Sequence, residues 1–172
     1  MSASFYDMSV ATYLQTLGGV SNVLNMGAEH AASAGIDLEE LVNFKLRDDM
    51  LPFSFQLISV WHHSLGAIRG MQEGKFAPPP KMSDMTWDKC LGLVTEATEA
   101  LQAESADAIE ALGEQSLVFH LGGKEIPFTN TNFLFSFSLP NFFFHATTAY
   151  DMLRMQGVPL GKMDYLGHLR VG

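Results

Sequence analysis

The sequence predicts an all-α protein: an antiparallel four-helix bundle with a small β-hairpin and a C-terminal tail docked on the bundle. Two observations predict this fold class. Four long segments repeat apolar residues every three or four positions, which is the period of one helix face. The pair Gly122-Gly123 separates two short β-prone runs, and such a pair is a turn signal for a hairpin.

The composition indicates a single domain over residues 1–172. Hydrophobic residues make up 47% of the chain, which excludes a disordered protein. A net charge of −9 argues against nucleic acid or an anionic membrane as a partner, because both need a cationic surface. The apolar stretches are too short and interrupted to span a bilayer, and the first ten residues lack a secretory signal. With Cys90 as its only cysteine, the chain is expected in the cytoplasm.

The first helix is expected from about Asp7 to Ser33, where one apolar face is continuous. Gly35 follows as its stop, since glycine adopts the left-handed conformation easily. A short helical turn comes next, with Asp37 as N-cap and Glu40 at the spacing of a capping box.

The second helix is expected between Pro52, in its first turn, and Gly74, at its end. His62 falls on the apolar stripe of this helix, and His63 lies about 100° further round. The other members of the stripe are Leu51, Phe55, Ile58 and Leu65.

A third helix is predicted from about Trp87 to Glu104, capped by Thr86 or Ser83. The segment KFAPPPKMSD before it contains three consecutive prolines and is expected to be an extended connector. The segment SADAIEALGEQ predicts a short helix, and the hairpin follows. Because an isolated hairpin is only marginally stable, it is expected to pack on the helices.

The last helical region is expected from Asn132 to Gln156, kinked or interrupted at Pro140 and ended by Gly157. The tail after Gly157 contains too few apolar residues to predict another helix. It still carries enough of them to be held across the bundle.

Two histidines stand out, His62 and His145, because each lies on an apolar helix stripe. Facing side chains from different helices are how bundles build metal and cofactor sites. The alternative is that each imidazole is a core residue with a satisfied hydrogen bond. The residues alone leave both interpretations open.

Two segments resemble a known family. LRDDMLPFSFQ, PNFFFHATTAYDMLRMQGVPLGKMDYLG and the spacing between them are similar to an uncharacterised bacterial family of the DinB/YfiT-like helical-bundle superfamily. The resemblance covers nearly the whole chain. It implies a four-helix bundle, often dimeric. In better-known members, three histidines bind a divalent metal, one from the second helix and two at i and i+4 on a later helix. Some of those proteins are thiol-dependent transferases or candidate hydrolases.

Carried over to this chain, the resemblance places His62, or its neighbour His63, at the second-helix ligand and His145 at the first position of the later pair. The i+4 position is Ala149, so the third ligand is missing. Two imidazoles hold a metal far more weakly than three ligands do. We therefore expect that the metal site is lost and that no cofactor is bound, with a divalent metal such as zinc or nickel as the alternative.

Two functions follow from these expectations. The first is a homodimeric, metal-free bundle that holds a small molecule in an interior pocket; its Phe-rich last helix predicts the dimer. The second is a metal-dependent transferase or hydrolase that uses His62 and His145. No nucleophile elbow, phosphate loop or dinucleotide fingerprint occurs, so whether the protein is an enzyme stays open. The residues expected to line the pocket are His62, Phe142, His145, Thr148, Tyr150 and Met152.

Overall fold

The computed structural model describes residues 3–171, which are mostly helical with one small three-stranded sheet. The expected first helix is two helices, α1 (Phe5–Met8) and α2 (Val10–Ala34). Ser4 caps α1 by accepting a hydrogen bond from the backbone N–H of Asp7. The predicted stop of α2 is confirmed, since Gly35 lies in the left-handed region with φ 68°.

The next two helical segments begin close to their predicted positions. Asp37 caps α3 (Leu38–Asn43) through a 2.9 Å bond from the backbone N–H of Glu39. Pro52 is the N-cap of α4 (Phe53–Trp61), one residue before the first turn.

The second long helix contains a wider turn that periodicity did not predict. After α4 the backbone forms a π-helical segment, π1 (His62–Gly66), and returns to α-helix in α5 (Ala67–Glu73). Gly74, with φ 71°, ends this continuous helix as predicted. A π-helical turn closes i→i+5 hydrogen bonds and changes the angle at which the following side chains point.

The sheet contains the predicted hairpin and one further strand. Strands β2 (Ser116–Leu121) and β3 (Lys124–Thr129) pair antiparallel around Gly122-Gly123, whose φ angles are 56° and 80°. Strand β1 (Lys75–Phe76) pairs parallel with β2. These two residues begin the segment expected to be a connector, so that expectation is wrong for them.

Between β1 and the hairpin lie α6 (Trp87–Gln102) and α7 (Ala106–Glu110). The Thr86 cap of α6 is confirmed, because its hydroxyl accepts from the backbone N–H of Lys89. The helix buries one face, formed by Trp87, Cys90, Val94, Ala97 and Leu101.

The last helical region is interrupted close to Pro140, as predicted. It consists of α8 (Asn130–Phe133), a second π-helical segment π2 (Leu134–Ser138) and α9 (Leu139–Met155). Pro140 is the second residue of α9 and follows directly on π2, so its missing N–H removes one backbone hydrogen bond where the two segments join.

The tail docks on the protein but is not free of helix, which corrects the prediction. Helix α10 (Lys162–Leu166) packs against α2, and the side chains of Val158 and Leu160 are buried. A Cβ atom at Gly19 would overlap the carbonyl oxygen of Tyr165, so the tail needs a glycine there.

The long helices share one core. Helix α4 packs against α6 and α9, and α2 packs against the same two helices. Among residues 3–171, no helix is both long and apolar enough to cross a membrane.

Candidate functional site

Two of the residues expected to line a pocket belong to the core. Phe142 is fully buried and packs edge-on against Tyr13, with 5.0 Å between ring centroids. Met152 is also buried. Both side chains therefore stabilise the fold by burial.

Two other residues that were expected to line the pocket contact different parts of the structure. Tyr150 packs against Tyr165 of the tail, with ring centroids 5.8 Å apart. The hydroxyl of Thr148 donates to the carbonyl of Phe144 within α9. The structure thus distributes the six predicted pocket residues over several environments instead of one cavity.

His63, and not His62, is the histidine of π1 that lies beside His145. Their ring centroids are 6.1 Å apart and the ring planes differ by only 10°. A regular helix would point His62 along the apolar stripe and His63 about 100° away. The helix face that meets α9 runs through Gln56 and His63, which are seven residues apart, so it lies one position away from the predicted stripe. The expected pair of His62 with His145 is therefore corrected to His63 with His145.

A buried glutamine fixes the protonation of His145. The side-chain nitrogen of Gln56 donates to the carbonyls of Leu51 and Pro52, at 3.3 and 3.4 Å. Its amide oxygen therefore faces His145, whose Nδ1 lies 2.8 Å away. Because an amide oxygen only accepts, Nδ1 of His145 carries the proton and Nε2 presents a lone pair.

Apolar surroundings keep both imidazoles neutral. The rings of Phe55 and Phe144 stand edge-on to His145, with centroids at 5.9 and 5.1 Å. Burial lowers the pKa of His145 to about 4. Burial, and then the nearby rings of His62 and His145, lower the pKa of His63 to about 3. At pH 7 the pair therefore offers hydrogen-bond donors and acceptors but no charge.

The backbone of His63 is tied to π2 by a buried chain of hydrogen bonds. The Ser138 hydroxyl donates to the carbonyl of His63 at 2.7 Å. The same hydroxyl lies 2.7 Å from the phenolic oxygen of Tyr13. Since the single proton of Ser138 is used by the carbonyl, Tyr13 is the donor to Ser138. Burial raises the pKa of Tyr13 well above its usual value, so this donor stays protonated.

One polar atom of the His63–His145 pair lacks a hydrogen-bond partner. Within the described residues, Nδ1 of His63 is buried and makes no hydrogen bond. Buried polar atoms are nearly always paired with protein, water or ligand, and one left over calls for an explanation. Here it lies on the ring that faces His145.

His62 is directed to the other side of π1. Its Nε2 atom lies 2.8 Å from the carbonyl of Ala77, and its ring stacks on Phe76 with 4.5 Å between centroids. Burial lowers the pKa of His62 as well. The three histidines thus form a row in which His63 stands between His62 and His145.

The residues present do not fit a three-histidine metal centre. In the range 3–171, no group of three or more His, Cys, Asp or Glu side chains is arranged to hold a metal ion. Ala149 is buried against an apolar hollow that Tyr165 helps to line and that has no room for a water molecule. An imidazole at position 149 would displace the neighbouring apolar side chains.

Sequence reasoning missed Gln56, Ser138 and Tyr13. A signal existed for Gln56, which precedes His63 by seven residues and so shares its helix face. Ser138 had no such signal, because its bond to His63 joins positions 75 residues apart.

The comparisons with known proteins agree with this fold. The model of a family described as a domain of unknown function (DUF1993) matches residues 5–166. The chain belongs to the DUF1993 family. No curated protein matches this DUF1993 protein significantly.

A solved structure is similar over nearly its whole length. A crystal structure of a DinB family member from Shewanella denitrificans is 22% identical and covers 97% of this chain and 94% of that chain. The TM-score is 0.80. At this identity the likeness concerns the fold, so the DUF1993 protein has a DinB-like fold, and its site is argued from its own residues.

Proposed function

We propose that this DUF1993 protein binds a small, uncharged molecule at His63 and His145 without a metal cofactor. We further propose that it works in the cytoplasm as a homodimer of antiparallel four-helix bundles. One observation carries the proposed site: Gln56 holds the tautomer of His145 so that Nε2 is an acceptor on a half-buried ring.

The surroundings define the chemistry of the molecule. Neutral imidazoles do not attract ions strongly, so the partner of Nε2 is expected to be a neutral O–H or N–H donor. The ring edges of Phe55 and Phe144 favour an apolar or aromatic body beside that donor. Nδ1 of His63, which is buried and lacks a partner among the described residues, is the second polar atom that such a molecule would reach if it entered between the two rings.

The dimer is supported by an apolar surface on the last helical region. Phe135, Phe143 and Phe144 are exposed by 45%, 38% and 59%. Monomeric proteins seldom leave several large apolar side chains on one segment in water. Sedimentation at micromolar concentration checks this proposal, and a single species near the monomer mass of 18.9 kDa would refute it.

The binding site is tested with phenol, which combines an aromatic ring with one hydroxyl donor. Phenol should move the ring ¹⁵N resonance of His145 Nε2 in a saturable way, because that atom accepts the hydroxyl proton. His145→Gln should abolish saturable binding. His168→Gln, at an exposed tail position, is the matched control and should bind as wild type does. Equal binding by both variants would refute the proposed site.

The alternative function is a metal-dependent transferase or hydrolase that uses His145 together with His62 or His63. One observation favours it, because metal-bound histidines commonly donate their other N–H to a carbonyl oxygen, as His145 does to Gln56. Elemental analysis of protein purified without a metal-affinity tag decides between the two functions. Stoichiometric zinc or nickel that disappears in His145→Ala would establish the alternative.

A further inference from the structure

A groove of about 340 Å³ lies on the opposite side of π1 from His145. Helix α5 and strand β1 supply most of its walls, and His120 of β2 closes one side. The polar residues that line it are His62, Arg69, Glu73, Lys75 and His120. Phe76 and Pro78 add apolar surface.

His62 presents a hydrogen-bond acceptor in this groove. The carbonyl of Ala77 can only accept, so the 2.8 Å contact requires that Nε2 of His62 carries a proton. Burial lowers the pKa of His62, and the ring is therefore neutral at pH 7. A neutral ring with its proton on Nε2 has a lone pair on Nδ1.

Gly66 leaves space next to that lone pair. Its backbone is helical, with φ −60° and ψ −35°, a conformation that alanine adopts readily. Glycine inside a helix costs about 1 kcal/mol relative to alanine, so a reason for it is expected. A Cβ atom at position 66 would lie 3.0 Å from Nδ1 of His62. The absence of a side chain thus leaves the acceptor open on the groove side.

Two cations stand in the same groove although the chain carries a net charge of −9. Arg69 contacts Glu96 at 3.3 Å and Lys75 contacts Glu73 at 3.4 Å, and all four side chains are about half exposed or more. Exposed pairs of this kind contribute little free energy. A guanidinium has five N–H groups, so Arg69 can keep Glu96 and still bind a second carboxylate.

We propose that this groove is a second binding site, for a small carboxylate that carries a hydroxyl group next to the carboxyl. Arg69 and Lys75 bind the carboxylate, and the hydroxyl donates to Nδ1 of His62. Phe76 and Pro78 contact the carbon atoms of the ligand. The dianion of a phosphate monoester has no O–H to donate to Nδ1 of His62, and a simple fatty acid would lack the hydroxyl.

This site is distinct from the one at His63 and His145. The ring of His62 stacks on Phe76 on the groove side, and His63 follows with 5.3 Å between centroids. A ligand in the groove therefore contacts His62, while Gln56 and His145 belong to the inner site.

The test compares lactate with propionate, which has the same three-carbon skeleton without the hydroxyl. In ¹H–¹⁵N spectra, lactate should shift the amides of Gly66, Gly70 and Lys75 in a saturable way. Propionate should bind about fivefold more weakly, since it lacks one hydrogen bond to a neutral acceptor. Equal affinity for the two acids, or no saturable shift with lactate, would overturn the proposal.

Two variants test the two ends of the ligand separately. Gly66→Ala should remove the preference for lactate, because its methyl group covers Nδ1 of His62. Arg69→Gln should weaken both acids about tenfold through the lost charge-assisted contact. Lys162→Gln makes the same charge change on the exposed surface of α10 and should leave both affinities unchanged.

The outcomes separate this proposal from the proposed function. His145→Gln should keep lactate binding in the groove even though it removes phenol binding at the inner site. If Lys162→Gln weakens lactate as much as Arg69→Gln does, the acid responds to overall charge and the groove proposal fails.

Discussion

Helix α6 and the helix formed by α4, π1 and α5 lie side by side but are built differently. Helix α6 is regular from its Thr86 cap to Gln102 and buries small and apolar side chains. Its neighbour buries polar ones on the same core, including Gln56, His62 and His63. The regular helix satisfies its backbone within itself. The second helix contains a wider turn and relies on side chains from other segments.

The two helices differ in how their backbone carbonyls are hydrogen-bonded. In π1 the carbonyl of His63 accepts from the hydroxyl of Ser138, and the hydroxyl of Ser64 donates to the carbonyl of Val60 in α4. A π-helical turn moves backbone carbonyls out of the regular helical hydrogen-bond pattern. Side-chain donors can then bond to those carbonyls. The hydroxyls of Ser64 and Ser138 thus complete hydrogen bonds around π1, and the bond from Ser138 holds the backbone of His63 against π2.

The largest effect is expected from removing the donor between the two π-helical segments. Ser138→Ala leaves the carbonyl of His63 and the hydroxyl of Tyr13 buried without their partner. We expect a loss of about 2–4 kcal/mol in the free energy of unfolding, measured by urea denaturation.

The matched change in the regular helix is Thr98→Ala. Thr98 donates to the carbonyl of Val94, four residues earlier in α6, which keeps its helical partner. Loss of the Thr98 hydroxyl should lower the free energy of unfolding by about 1 kcal/mol or less. Equal losses for the two variants would mean that Ser138 is an ordinary helix serine and would refute the comparison.

A smaller effect is expected from acid. Because the pKa of His63 is about 3 in the folded protein and 6.5 is its ordinary value, the unfolded chain binds this proton more readily. The stability that His63 contributes is complete above pH 6.5 and falls as the pH decreases toward 3. Between pH 7 and pH 5 the loss should be about 2 kcal/mol.

The control for this prediction removes the titrating group. His63→Gln should flatten the dependence of the unfolding free energy on pH by that amount, whatever its stability at pH 7. His168→Gln, on the exposed tail, should keep the slope of the wild type. If His63→Gln keeps the wild-type dependence of the unfolding free energy on pH, the prediction that His63 is neutral and buried is wrong.

The smallest effect compares one glycine from each helix. Nothing lies within 4 Å of a Cβ atom placed at Gly92 in α6, whereas one at Gly66 meets Nδ1 of His62 at 3.0 Å. Gly92→Ala should therefore raise the free energy of unfolding by about 0.5–1 kcal/mol. Gly66→Ala should gain less, because the close contact offsets the helix propensity. A larger gain at position 66 would show that Gly66 serves no contact.

The parts of the fold that depend on local chemistry could be predicted from the sequence. The Thr86 cap, the Gly35 and Gly74 stops and the Gly122-Gly123 turn each depend on residues a few positions apart. Strand β1 could not be predicted, since two residues form a strand only beside a partner such as β2. Helix α10 has five residues and is held by α2.

The candidate site was predicted only in part, because some of its contacts join residues that are far apart in the sequence. His145 and the second helix meet through Gln56 and His63, and the spacing of seven between these two residues was a detectable signal. The exchange of His62 for His63 could not be predicted, because these histidines lie on adjacent helix faces and the choice between the faces is made by packing against α9, about 80 residues further along the chain.

The contact between Gly19 and Tyr165 has a consequence for hydrogen exchange. The segment around Tyr165 covers an apolar hollow of α2 and α9, and its polar contacts with the helices lie at the edge of that hollow, among them those from Gln15 to Leu166 and from Asn22 to Asp164, at 3.3 Å each. We expect this short segment to open locally while the core stays folded. Each opening exposes the part of α9 around Ala149 to water. The amide hydrogens of the last turns of α9 should therefore exchange with solvent earlier than those of α6.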